Sequence, residues 1–118
     1  MLESWFNSAG DNEGATVSRS PERQSVVDQQ TANFALYHYE SCWFCGKVRR
    51  SIEALGLNIE LRNIQTDENN YRELITRGGR STVPCLRIDS PSGEQWMYES
   101  ADIIAFLNSK FGPEQPAS

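Results

Sequence analysis

The stretch that decides the fold is Phe34-Ala35-Leu36-Tyr37-His38-Tyr39-Glu40-Ser41-Cys42-Trp43-Phe44-Cys45. Residues 34–39 are rich in aromatic and apolar side chains, a composition typical of a β-strand. The last four residues form a C-x-x-C motif. A helix is predicted from Cys42 to Leu55, because apolar residues recur there at helical spacing. A dithiol at the junction of a strand and a helix is typical of redox chemistry.

The same alternation of strand and helix continues along the chain. Further strands are predicted over 59–64, 83–88 and 95–98, and a turn over 90–93 joins the last two into a hairpin. Helices are predicted from Thr66 to the glycines at 78–79, with Tyr71, Leu74 and Ile75 as the buried stripe, and from Ser100, as its cap, to Phe111. The order is β-α-β-α-β-β-α. It predicts an α/β fold with a mixed four-stranded sheet and helices on both faces.

The chain divides by composition into three parts. Residues 1–33 form a polar arm that is poor in aliphatic side chains and is expected to be largely disordered. Within it, Ser20 followed by Pro21 predicts a short helix over 21–30. Trp5 and Phe6 are the only large aromatic residues of the arm. The ordered domain is expected over 34–112, followed by a flexible tail over 113–118.

The charge and the cysteine count of the chain disfavour several classes of protein. The 118 residues carry a net charge of −5, with a pI of about 4.8, which fits one small domain and disfavours a nucleic-acid partner. Three cysteines are an odd number and too few for a disulfide-stapled secreted scaffold. No transmembrane segment and no secretory signal is recognised, so a cytoplasmic protein is expected.

The spacing of the dithiol predicts a division of labour. Cys42 is placed at the positive end of a helix, which stabilises a thiolate, and Cys45 one turn further on is expected to be more buried. Cys42 would attack and Cys45 would resolve the mixed disulfide. Two alternatives stay open. One is half of a zinc site with Cys85 and His38, and the other is a pair of inert, packed cysteines.

Two further motifs lie near strand and helix ends. Thr82-Val83-Pro84 leads into a strand. A cis Val83–Pro84 bond would present the Val83 backbone to an extended peptide, although most X–Pro bonds are trans. Glu99 and Ser100 open the last helix, where backbone amides bind a carboxylate and Glu99 accepts from an ammonium group. Taken alone, this pair is better interpreted as an ordinary helix cap.

Together, these motifs resemble the glutaredoxin and glutathione-transferase N-terminal-domain branch of the thioredoxin superfamily, over about 34–111. Residues 37–45 resemble the glutaredoxin active-site loop, 79–84 its cis-proline loop, and 98–107 the glutathione-binding helix of transferases. The resemblance implies that the dithiol is catalytic and that glutathione is the co-substrate. The residues it implies for glutathione binding are Tyr39, Phe44, Thr82, Val83, Pro84, Glu99 and Ser100.

The resemblance implies a glutathione-dependent thiol–disulfide oxidoreductase acting on protein disulfides or glutathionylated proteins, as a monomer. Trp43 stands where glutaredoxins commonly have proline. That departure motivates an alternative, a dimeric, non-enzymatic carrier of a glutathione-ligated [2Fe–2S] cluster with Cys42 as ligand. A third reading is a transferase-like binding module without the helical domain, because few residues follow Phe111. Cys85 is read as a buried strand cysteine or as a site for glutathione or a metal, and His38 as a satisfied core histidine.

Overall fold

The computed structural model describes residues 17–113. Within that range, no helix has the length and apolar character needed to cross a bilayer. After Glu73 the chain continues into a π-helical turn over Leu74–Gly78. The helices are α1 (Pro21–Thr31), α2 (Trp43–Ala54), α3 (Glu68–Glu73) and α4 (Ser100–Phe111), and the strands are β1 (Phe34–His38), β2 (Glu60–Asn63), β3 (Cys85–Ser90) and β4 (Gly93–Met97).

The four strands form one mixed sheet in the order β2-β1-β3-β4. β1 runs parallel to β2, while β3 is antiparallel to both β1 and β4. The parallel pair is joined by α2, and the antiparallel pair β3–β4 is joined by a short turn, as each type of pairing requires. The predicted thioredoxin-like sheet is therefore confirmed.

Helices cover both faces of the sheet, which explains why β1 is buried along its whole length. Phe34 and Leu36 point to one face and pack with side chains of α1, α2 and α4. Ala35 and Tyr37 point to the other face and pack with Leu74 of the π-helical turn. This alternation follows from the two-residue period of a strand.

The segment before β1 packs onto the domain. The predicted helix over 21–30 is present as α1, and the Ser20 hydroxyl accepts a hydrogen bond from the Arg23 N–H at 3.1 Å, as a capping residue does. Val27 is 1% exposed and belongs to the larger core. The Val17 N–H donates to the Ala54 carbonyl at the end of α2. Trp5, Phe6 and residues 114–118 of the tail expected over 113–118 lie outside the described residues.

The prediction for α3 is partly wrong. Asp67, not Thr66, caps it, accepting from the Asn69 N–H at 2.9 Å. Of the expected buried stripe, only Leu74 is buried, whereas Tyr71 is 42% and Ile75 38% exposed. The helix is short and widens into a π-helical turn, so that its spacing departs from 3.6 residues per turn and one side chain alone reaches the sheet.

The bounds of the strands also differ from those predicted, most clearly in β3 and β4. β3 begins at Cys85, two residues later than predicted, because Pro84 has no N–H to donate to the ladder. β4 spans Gly93–Met97 instead of 95–98, since the turn is tight enough for Gly93 to pair with Ser90.

Candidate active site

Cys42 lies where the loop after β1 enters α2. Its backbone is extended (φ −75°, ψ 116°) and its side chain is the helix cap. The Cys45 N–H donates to the Cys42 Sγ at 3.2 Å, and the Cys42 N–H donates to the Tyr39 carbonyl at 3.2 Å. The sulfur therefore occupies the place that a serine or aspartate oxygen takes in an ordinary cap. The donated N–H and the positive helix end both place positive potential at this sulfur.

Cys45 is the more deeply placed thiol of the pair. It is fully buried, whereas Cys42 retains 9% of its surface. Burial raises the pKa of the Cys45 thiol to about 12, and its hydrogen bond with Cys42 acts in the same direction. At neutral pH Cys45 therefore carries its proton, and Cys42 is the less deeply buried cysteine of the motif.

The guanidinium of Arg49 braces the loop before Cys42. Its Nη1 donates to the His38 Nδ1 at 2.9 Å and to the Tyr39 carbonyl at 3.3 Å, and its Nη2 donates to the Glu40 carbonyl at 3.2 Å. Sequence reasoning missed this role, because Arg49 lies off the apolar stripe of α2 and reads as a solvated position. The available signal is its place on the helix, one turn after Cys45.

His38 is the acceptor at the centre of this brace. It is 2% exposed. Arginine is always a donor, so the His38 Nδ1 accepts and the ring is neutral. Burial, and then the nearby Arg49 charge, lower the pKa of His38. The histidine is thus satisfied within the fold, as the sequence indicates.

The register of the sheet brings the remaining motifs to one end of it. Tyr37 pairs with Cys85, so Pro84 lies beside the end of β1 from which the loop to Cys42 departs. Leu86 pairs with Met97, so the chain leaving β4 toward α4 starts beside the same end of β3. One edge of the fold, at this end of the sheet, therefore holds the dithiol loop, the proline loop and the start of α4.

The proline loop combines buried and accessible parts. The Val83–Pro84 peptide bond is cis. Pro84 is buried and Val83 half-buried, whereas Thr82 is exposed. Of the two isomers considered from sequence, the structure has the less common one.

At the start of α4, the predicted cap is displaced by one residue. Glu99, with an extended backbone, is the N-cap, and Ser100 is the first helical residue. Neither side chain caps the helix; instead the Glu99 carbonyl accepts from the Ile103 N–H at 2.9 Å. Since Glu99 is exposed and Ser100 half-buried, the first-turn amides are not consumed by a side-chain cap. The expectation that Ser100 caps the helix is wrong.

Aromatic side chains surround the entrance to the dithiol. Trp43 and Phe44 are 66% and 52% exposed, and their ring centroids lie 5.1 Å apart. The Lys47 ammonium lies 5.0 Å from the Trp43 ring centroid, within cation–π range. Tyr39, at the start of the loop, is half-buried. Large apolar surfaces exposed beside a thiol are suited to contact with a substrate.

Cys85 lies within the fold, fully buried behind Pro84. Burial raises the pKa of its thiol to about 12, and the nearby Tyr98 hydroxyl opposes this rise. Of the two interpretations of Cys85, the buried strand cysteine is the observed one.

The described residues contain no group of three or more His, Cys, Asp or Glu side chains placed to hold a metal ion. A [2Fe–2S] cluster takes four thiolate-type ligands. Of the three cysteines, Cys42 retains 9% of its surface, whereas Cys45 and Cys85 are fully buried. One chain therefore offers one cysteine for a ligand position.

With this geometry in place, comparison with known proteins identifies the family. The family "Glutathione S-transferase, N-terminal domain" matches residues 36–115. Glutaredoxin 3 of Escherichia coli K12 is 30% identical over 59 residues, which cover 50% of this chain and 71% of the relative. The chain belongs to the glutaredoxin and glutathione S-transferase N-terminal-domain branch of the thioredoxin superfamily.

Solved structures of that branch share the fold. Wheat glutaredoxin superposes with a TM-score of 0.52 at 21% identity, covering 75% of this chain and 84% of the wheat protein. Maleylacetoacetate isomerase from Anaeromyxobacter dehalogenans, solved with GSH bound in its active site, superposes with a TM-score of 0.53 at 19% identity. The match covers 73% of this chain but only 42% of the isomerase. The likeness to the isomerase is therefore one of fold, over less than half of its length.

Proposed function

We propose that this chain is a glutathione-dependent thiol–disulfide oxidoreductase that reduces protein disulfides or glutathione mixed disulfides. The observation that carries the proposal is the placement of the Cys42 Sγ as the cap of α2, where it accepts the Cys45 N–H at 3.2 Å. That placement puts the sulfur at the positive end of a helix, and the thiolate is the form of cysteine that attacks a disulfide.

In the first step, the Cys42 thiolate attacks one sulfur of the substrate disulfide. A bond forms between Cys42 and that sulfur, the substrate S–S bond breaks, and the departing thiolate takes a proton from solvent. The enzyme then carries a mixed disulfide. Its release has two routes, one through Cys45 and one through a glutathione thiolate.

Through Cys45, the thiol loses its proton, attacks the Cys42 Sγ and expels the bound thiolate, leaving a Cys42–Cys45 disulfide. Because Cys45 is fully buried with a pKa of about 12, deprotonation limits this route. Through glutathione, an external thiolate attacks the sulfur that is bound to Cys42. A new disulfide forms between these two sulfurs, and Cys42 leaves as a thiolate. The buried, protonated Cys45 supports the glutathione route for glutathionylated substrates.

Glutathione would lie along the shared edge of the fold described above. The Val83 backbone beside Pro84 would pair with its cysteinyl part, and Tyr39, Phe44 and Thr82 would line the groove. Glu99 and Ser100 would hold its γ-glutamyl end, since first-turn amides of a helix receive a carboxylate. The membership in a glutathione-binding branch supports this assignment.

The test uses a glutathionylated peptide with glutathione as the reductant. Cys42→Ser should lower turnover by about a thousandfold or more, as expected when a nucleophile is removed. Cys45→Ser should retain it, because glutathione resolves the intermediate. Cys85→Ser is the matched control, since it removes another fully buried thiol of the chain, and it should leave turnover unchanged. Full turnover by Cys42→Ser would overturn the proposal.

A further inference from the structure

We propose that Arg49 is a positioning residue for the resolving step: by holding the loop before Cys42, it keeps the Cys42 Sγ within reach of Cys45. This inference rests on the proposed function, since it concerns the internal route through Cys45. Arg49 donates no hydrogen bond to either reacting sulfur, although its charge acts to lower the pKa of Cys45. It would act through the loop.

The first support is geometric. One guanidinium spans three acceptors on consecutive residues, namely the His38 Nδ1 at 2.9 Å and the carbonyls of Tyr39 at 3.3 Å and Glu40 at 3.2 Å. A planar fork with five donors suits such an arrangement, whereas a lysine ammonium places its donors around one point. The loop is thereby tied to the same helix that carries both cysteines.

The second support is the continuity between the brace and the sulfur. The Tyr39 carbonyl that accepts from Arg49 also accepts the Cys42 N–H at 3.2 Å. A shift of Tyr39 would therefore move Cys42 directly. The His38 end of the brace is anchored in the sheet, since His38 is 2% exposed and pairs with Asn63 of β2.

The resolving step needs this precision. Cys45 is fully buried in the first turn of α2. Its sulfur therefore reaches the Cys42 sulfur only if Cys42 keeps its place as the helix cap. Misplacing reacting atoms by about an ångström can cost about a hundredfold in rate. Attack by glutathione comes from solvent and tolerates a displaced Cys42 better.

The test separates the two routes in single turnover. Reduced protein is mixed with glutathione disulfide, quenched with acid, and the mixed disulfide and the internal disulfide are quantified by mass. Arg49→Met should slow conversion of the first into the second by about tenfold or more, while release of the mixed disulfide by added glutathione stays within about twofold. Arg49→Lys should also be slow, because the fork and not the charge spans the three acceptors.

Arg50→Met is the matched control. Arg50 is the next residue of α2, is exposed, and carries the same charge, but the structure gives it no hydrogen bond to the loop. It should convert at the rate of the unaltered protein. Equal slowing in Arg50→Met, or full recovery in Arg49→Lys, would show a charge effect and overturn the inference.

A second measurement does not depend on glutathione. Hydrogen exchange at the Cys42 amide reports its bond to the Tyr39 carbonyl, and exchange should become faster in Arg49→Met but not in Arg50→Met. Unchanged exchange in Arg49→Met overturns the inference even if the unaltered protein forms no mixed disulfide. Failure of the unaltered protein to form the mixed disulfide would by itself count against the proposed function only.

Discussion

The Cys45 N–H donates a hydrogen bond to the Cys42 Sγ at 3.2 Å, so the two cysteines of the motif are joined through a backbone amide before any disulfide forms. The same bond closes the first turn of α2. The positive end of the helix and the Cys42 sulfur are therefore one structural unit, and the environment of each thiol follows from its place in that turn. The Cys42 sulfur accepts the hydrogen bond, and the Cys45 side chain is buried behind it.

The resolving step should depend strongly on pH. Burial holds the pKa of Cys45 at about 12, so only a small fraction is thiolate at neutral pH, and that fraction grows about tenfold with each pH unit. We expect the conversion of mixed disulfide to internal disulfide to accelerate in that proportion between about pH 6 and 9. Acid-quenched mass spectrometry at several pH values measures it. A rate independent of pH would instead mean that the departing sulfur takes the Cys45 proton directly.

The reduced protein should lose stability at alkaline pH. Cys45 and Cys85 both have a folded-state pKa of about 12, raised from an ordinary value of about 9 by burial. Their contribution to the free energy of unfolding is complete below pH 9. It falls as the pH rises from 9 toward 12, because the unfolded chain releases these protons first.

At pH 10, each thiol should cost up to about 1.4 kcal/mol of unfolding free energy relative to pH 7. Urea unfolding under reducing conditions at the two pH values measures this loss. Cys85→Ser should show about half of the alkaline loss, relative to its own value at pH 7. An equal loss in that variant would assign the effect to other groups.

Much of the fold and of the site is predictable from sequence because local chemistry encodes it. The C-x-x-C motif after a run of aromatic residues places Cys42 at a helix start, and the turn over 90–93 predicts the hairpin of β3 and β4. Ser20 followed by Pro21 predicts α1. Each of these features depends on neighbours within a few residues, and the structure contains all of them.

The parts that sequence does not predict depend on contacts between distant residues. Arg49 reads as a solvated position until the loop from β1 is placed beside it. Tyr71 and Ile75 follow a helical period, yet they are exposed because α3 widens into a π-helical turn. Tyr37 contacts Glu73, and Arg62 donates to the Tyr37 hydroxyl at 2.8 Å. No local pattern reveals this cluster, since its members come from three separate elements.

The side chain of Arg19 should be a major stabilising contact of the segment before β1. Its guanidinium donates to the Leu55 carbonyl at 2.7 Å and to the Phe111 carbonyl at 2.8 Å, at the ends of α2 and α4. A cation at two helix C-termini satisfies carbonyls that the helices leave free and opposes the negative ends of both dipoles.

Arg19→Met should lower the unfolding free energy by about 2 kcal/mol, since hydrogen bonds to a charged group contribute about 1.5–3 kcal/mol each and part of this is lost to solvent. Arg23→Met is the matched control: it removes the same charge from an exposed position in α1 and should change stability by less than about 0.5 kcal/mol. Urea unfolding measures both. Similar losses in the two variants would mean that net charge, not the two carbonyl contacts, is responsible.

Gly78 controls the approach of β4 to the π-helical turn and, through it, the start of α4. A Cβ on Gly78 would lie 2.5 Å from the Tyr98 hydroxyl oxygen and 2.8 Å from a ring carbon of Trp96. The Tyr98 hydroxyl donates to the Gly78 carbonyl at 2.6 Å. Gly78→Ala would therefore push away the residue that immediately precedes Glu99.

We expect Gly78→Ala to lower the unfolding free energy by about 1–3 kcal/mol, as overpacking does, and to weaken glutathione binding measured by titration. Gly46→Ala is the control for stability, because its added Cβ would meet only the side-chain ends of Arg49 and Arg50 at 3.5 Å or more. In the interior of α2, alanine should be neutral or stabilising by up to about 1 kcal/mol. If Gly78→Ala matched the unaltered protein in both stability and glutathione affinity, the contact with Tyr98 would have no role in placing the start of α4.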